Sequence, residues 1–145
     1  MSARPPQPDC VVVRARDCET GSTGLDYLSG ISRESVGAES LCLQLVRVPP
    51  GASARAHCHD GHETAAYVLE GEVVTWYGPR LEKYAVTGPG DFVYIPAGVP
   101  HLPVNYGSSE AVAVIARTDP KAQESVVAMP ELDALEHLRT RPGVP

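Results

Sequence analysis

Long apolar runs are missing from this chain: no stretch approaches the roughly 20 residues needed to cross a membrane as a helix, which argues against a membrane protein. Basic clusters are missing too. With 12 Lys and Arg against 18 Asp and Glu the net charge is −6, so the electrostatic footprint of nucleic-acid binding is absent. Cysteine pairs of the CxxC type are also lacking. Cys10, Cys18, Cys42 and Cys58 are scattered and read as free, buried thiols of a reduced compartment. Residues 1–9, MSARPPQPD, hold no apolar centre of a secretory leader, and a cytoplasmic location is expected.

What the chain does have is punctuation. Its 14 prolines and 13 glycines recur at short intervals instead of pooling in a linker, the rhythm of short strands joined by turns. Strands are predicted over 10–14, 41–48, 56–59, 64–70, 73–77, 81–86, 92–95, 102–106 and 111–116, several of them rich in β-branched and aromatic residues. Turns are predicted at Pro49-Pro50-Gly51, Glu70-Gly71-Glu72, Gly78-Pro79 and Gly88-Pro89-Gly90-Asp91. The fold class is therefore all-β, a small closed or sandwich-like antiparallel barrel. A length of 145 residues suits one domain, 1–145. The single helix expected lies at the end, where Pro130 suits a first helical position and Leu132, Leu135 and Leu138 recur at helical spacing towards Arg139 and Arg141. Residues 1–9 and 142–145 are expected to be mobile.

Histidine carries the chemistry. His57, His59 and His62 fall within six residues of one another just after a Pro-Pro-Gly turn. Residues i and i+2 of a strand share a face, so His57 and His59 present two imidazoles in parallel while Cys58 points away as a small buried hydrophobe. Such a pair suits Zn, Fe, Ni, Cu or Mn. His101 follows in Pro96-Ala97-Gly98-Val99-Pro100-His101, and a partner strand could return it to the pair. Trp76, Tyr67, Tyr84, Phe92 and Tyr94 are read as core, His137 as surface.

The spacing Gly51-x5-His57-x-His59 followed by Gly71, then Gly90-x5-Pro96-x-Gly98-x2-His101-x3-Asn105, resembles the paired motifs of the cupin superfamily. The resemblance covers 51–105. It implies a double-stranded β-helix with His57, His59 and His101 as metal ligands and Asn105 bracing its turn. The first motif departs from the pattern at the fourth ligand: Thr64 stands where a glutamate usually lies, with six residues between it and the closing glycine, and Glu63 is one residue away. Because strand residues alternate, Glu63 should face away from the metal if Thr64 faces it, whereas His62 shares the face of Thr64. A four-histidine site, His57, His59, His62 and His101, is therefore expected. Four neutral imidazoles leave the ion its full charge, which favours Lewis-acid chemistry and Zn.

Size, the segment HCHDGHETAAYVLEGE and the missing glutamate make the chain similar to the single-cupin aromatic polyketide cyclases of the resistomycin type. That likeness implies an enzyme of secondary metabolism, aldol cyclisation and dehydration of a poly-β-ketone, Glu63 or His62 as proton acceptor, and a homodimer paired through an edge strand near 10–14. The scarcity of cations, with Arg47, Arg55 and Arg80 the nearest, points to a small, largely neutral substrate. A quercetinase-like dioxygenase and a metal-containing binding module without turnover are the alternatives.

Overall fold

The computed structural model describes residues 8–14, 18–20, 23–121 and 125–143. Eleven strands run in chain order among them: β1 (Cys18–Thr20), β2 (Asp26–Ile31), β3 (Cys42–Val48), β4 (His57–His59), β5 (Thr64–Glu70), β6 (Val73–Tyr77), β7 (Lys83–Thr87), β8 (Phe92–Ile95), β9 (His101–Val104), β10 (Ala111–Arg117) and β11 (Val126–Ala128). They form two antiparallel sheets, one ordered β1-β2-β3-β10-β5-β8 and the other β11-β4-β9-β6-β7. A short helix, α1 (Arg33–Val36), follows β2, with Ser32 and Ser35 closing a capping box at its start and Gly37 in the left-handed region at its end.

Alternation assigns each strand a face. On β6, Val73 and Thr75 look into the space between the sheets, whereas Val74 and Trp76 look outward onto the end of the chain. That end is not the single helix expected but two short 3₁₀ turns, Pro130–Leu132 and Glu136–Arg139. Leu132 and Leu138 are buried there against Ala56, Trp76, Leu81 and Leu102. The leucine spacing marks the buried contacts correctly, but those contacts are met by turns docked on the sheet. Asp133 Oδ1 accepts the Ala56 amide at 2.6 Å and a His137 ring nitrogen lies 2.8 Å from the Leu81 carbonyl oxygen, so the terminal segment braces the entry to β4. A second cluster, with Leu25, Tyr27, Val46, Val48, Val73 and Ala113, fills one end of the interior.

Four further departures from the sequence reading matter. Residues 10–14 form no strand, so the edge expected there is absent; the edges of the six-stranded sheet are β1 and β8. Strands β1, β2 and β11 were not expected, because Ser and Gly inside Asp26–Ile31 mimic turn signals and β1 and β11 are three residues each. Tyr67, Tyr84, Phe92 and Tyr94 are not core: Phe92 is 80% and Tyr94 61% exposed on edge strand β8, and of the five aromatics only Trp76 is buried. Cys10, Cys42 and Cys58 are free thiols as expected, but only Cys42 is buried: Cys10 is exposed and Cys58 half-buried. The side chain of Cys18 lies outside the described residues.

Candidate metal centre

β4 and β9 pair antiparallel with His57 directly opposite His101. His59 follows on the same face of β4, and its carbonyl accepts the Gly98 amide at 2.9 Å, which fixes the Pro96–Pro100 turn against the strand. The three imidazoles converge: each offers a nitrogen, and those atoms all lie within 4.8 Å of one another. The rings are 4.3 to 5.5 Å apart, centre to centre, and all three residues are buried.

The hydrogen bonds set the tautomers. His57 Nδ1 lies 2.6 Å from the Arg55 carbonyl oxygen and His101 Nδ1 2.9 Å from that of Val99. A carbonyl only accepts, so Nδ1 carries the proton in both rings and Nε2 keeps its lone pair. His59 Nδ1 faces the Ser125 hydroxyl at 3.4 Å. Burial strips hydration from the imidazolium and, aided by Arg117 and the neighbouring rings, pushes His59 from 6.5 down to about 3. His101 also falls to about 3, first through burial and then through His57 and Arg117, against the pull of the Val99 carbonyl. His57 is lowered in the same direction, again chiefly by burial. Three neutral imidazoles with inward lone pairs are the donor set a divalent cation requires, so the residues fit a metal.

Thr64 is the fourth wall. It is buried, its hydroxyl has no hydrogen-bond partner, and it faces the same cavity. Glu63 is exposed, as strand alternation predicts; its Oε1 accepts a 2.7 Å hydrogen bond from the Tyr94 hydroxyl. That bond raises the Tyr94 phenol above its usual range. His62 is not gathered with the other three. It lines a separate hollow with Asp60, Asp119, Ser125 and Val127, and its Nδ1 is buried without a partner. β5 begins only at Thr64, so the alternation that would place His62 beside the ion does not extend back to it. Asn105 does what the motif implies: its Nδ2 donates to the Val48 and Ser109 carbonyls and its Oδ1 accepts from the Gly107 amide.

The cavity holds about 80 Å³. It shares Thr75, Thr87, Val93 and Ile95 with an adjoining hollow of about 410 Å³, whose other walls include Tyr77, Phe92, Tyr94 and Pro96. One lining residue escaped the sequence reading. Arg117 ends β10, is only 4% exposed, and continues the inward series Ala113, Ile115, Arg117. Arg47, by contrast, pairs with Glu110 at 2.9 Å on the surface, and Arg55 and Arg80 are exposed. Extending strand 111–116 by one residue and reading its alternation would have found the interior cation.

Residues 44–116 match the family model described as the cupin domain, and the chain belongs to the cupin family. Solved structures agree on the fold. The polyketide cyclase RemF from Streptomyces resistomycificus aligns with TM-score 0.66 at 23% identity, over 83% of this chain and 86% of RemF. A sugar phosphate isomerase of the cupin superfamily from Silicibacter pomeroyi aligns at 0.55 and 26%, over 66% of this chain and 59% of that protein. A predicted oxalate decarboxylase from Thermotoga maritima aligns at 0.62 and 21%, over 75% and 98%. No curated protein matches the chain.

Proposed function

We propose that this cupin is a metal-dependent enzyme that closes a ring in a poly-β-ketone by aldol condensation and dehydration. The observation that carries the reading is the donor set: three neutral histidines and a threonine hydroxyl face a cavity with no carboxylate among the described residues that line it. His57, His59 and His101 would hold the ion, Zn in this reading, and when bound it supplies Lewis acidity to a substrate ketone. The fold likeness to a polyketide cyclase over most of both chains supports the choice of reaction.

The chain's own residues have three tasks. The apolar walls of the hollow hold the extended substrate in a folded state and keep water from its carbonyls. Glu63 takes the α-proton: as the C–H electron pair forms the enolate double bond and the π pair moves onto the carbonyl oxygen, the Tyr94 hydroxyl accepts the proton and passes its own to Glu63 Oε1 along the existing hydrogen bond. The enolate carbon bonds to a second carbonyl carbon, and the alkoxide this creates takes the proton back from Glu63 to become a hydroxyl. A second α-proton then leaves by the same relay as the C–O bond breaks, and the departing hydroxide receives that proton and leaves as water. Assembly as a homodimer belongs to the same reading, and sedimentation of the native protein tests it.

The test is direct. Zn-loaded protein, incubated with a synthetic poly-β-ketone thioester, is expected to yield a dehydrated aromatic ring by mass spectrometry, and chelated protein is not. Equal product from both sinks the reading. The aromatic hollow of Tyr77, Phe92 and Tyr94 favours one other reaction, oxidative cleavage of a flat polyphenol. Oxygen uptake with a flavonol by Fe-, Cu-, Ni- or Mn-loaded protein would establish it.

A further inference from the structure

The cavity is short of ordinary ligand size. Small-molecule sites span roughly 300–1,000 Å³, and only with the adjoining hollow does this site reach that range. The inner chamber has room for a head group only, and the outer hollow for a larger body. What the head group meets is three neutral imidazoles and one permanent positive charge, Arg117.

Arg117 is placed with care. It stands directly opposite Thr64 across the β10–β5 pair, at the point where the usual cupin pattern has an acidic side chain. Gln44 Oε1 lies 3.5 Å from its Nη1, and its guanidinium carbon lies 6.0 Å from the centre of the Tyr27 ring. In a weakly polarisable interior a planar guanidinium has high affinity for oxyanions, and its paired donors suit a carboxylate or an enolate flanked by a carbonyl.

We propose that Arg117 is the specificity-determining residue of the cavity and that the substrate is an organic anion: a carboxylate or enolate next to a ketone enters the inner chamber, while an aromatic or otherwise flat body lies against Tyr77, Phe92 and Tyr94. This departs from the neutral substrate expected from the sequence, which counted only the cations near the motifs; Arg117 comes from β10, far along the chain. The inference rests on the cavity being the substrate site, but it requires neither cyclisation nor a particular metal.

Benzoylacetate and its methyl ester differ by one charge and serve as probes. By calorimetric titration at pH 7.5, the native protein is expected to bind the acid about 10-fold or more tightly than the ester. The preference should persist after the metal is stripped, which separates Arg117 from metal chelation. Arg117→Met, with melting curve checked, should erase it, and Arg117→Lys should keep part of it. If the metal-free native protein binds acid and ester equally, or if folded Arg117→Met retains the preference, the assignment is overturned; should Arg117→Met not fold, the metal-free comparison decides alone. Loss of cyclase activity with the charge preference intact would fault the proposed reaction and leave this inference standing.

Discussion

His57 and His101 face each other across a single antiparallel pairing, and each ring is locked by a hydrogen bond from Nδ1 to the carbonyl two residues before it. Two separate motifs thus use one local device to fix the same tautomer, and both lone pairs turn inward.

That symmetry predicts equal costs. His57→Ala and His101→Ala should each abolish stoichiometric metal binding, read by elemental analysis, and each should make the melting temperature insensitive to added Zn. A metal at 100 times its Kd stabilises by about 2.7 kcal/mol, so chelating the native protein should lower the melting temperature by roughly 2–4 °C per kcal/mol. An unchanged melting temperature after exhaustive chelation and confirmed metal loss would contradict a site that binds only the folded state.

Acid should destabilise the metal-free protein. His59 and His101 titrate at about 3 when folded and near 6.5 when unfolded, so between those values the unfolded chain binds more protons. Stability then rises with pH across that window and is lost as pH falls from 6.5 towards 3, by up to about 1.4 kcal/mol per unit for each histidine. Urea titrations of the metal-free protein at pH 7.5, 6 and 5 check this. A flat profile would mean the rings are not held neutral.

His62→Ala should leave Zn affinity within a few-fold of native, because His62 stands outside the cluster. Glu63→Gln should also keep the metal but lose most turnover, since it removes the acceptor behind Tyr94. A large loss of Zn affinity in His62→Ala alone would restore the four-histidine site.

Asn105→Ala should cost about 1–3 kcal/mol by urea unfolding. Deleting an amide that is 1% exposed leaves the buried Val48 carbonyl without its partner, worth about 1–3 kcal/mol, whereas Ser109 and Gly107 are exposed and their backbone groups can turn to water. A loss below 1 kcal/mol would show that water replaces the side chain.

The sequence made the β5, β6 and β8 strands and the three-histidine core readable because both depend on short-range periodicity: alternation puts His57 and His59 on one face, and glycine marks the turns. Gly71 shows why a turn can be so legible. Its φ is +73°, and a side-chain carbon there would lie 2.7 Å from the Glu110 carbonyl oxygen, so little but glycine fits. What stayed hidden depends on distant pairing. The pairing of β11 with β4 and the placing of Arg117 opposite Thr64 require knowing which strands meet. His62 misled for the opposite reason, since local alternation was extended into a loop.

Thr64 yields the sharpest test of the site's chemistry. Its hydroxyl lies unpartnered in the cavity, directly across from Arg117, in the position where a cupin glutamate would reach the ion. Thr64→Glu should therefore tighten Zn binding by about 10-fold or more, as a direct carboxylate ligand should at least match the effect of an outer partner. The same carboxylate faces the guanidinium and lowers the charge of the ion's surroundings, so the preference for benzoylacetate over its ester should disappear and cyclisation should slow. Thr64→Gln has the same length without the charge; it controls for crowding and should produce none of the gain. If Thr64→Glu and Thr64→Gln bind Zn alike, the Thr64 side chain does not reach the metal, and the cavity wall at β5 has no part in setting its charge.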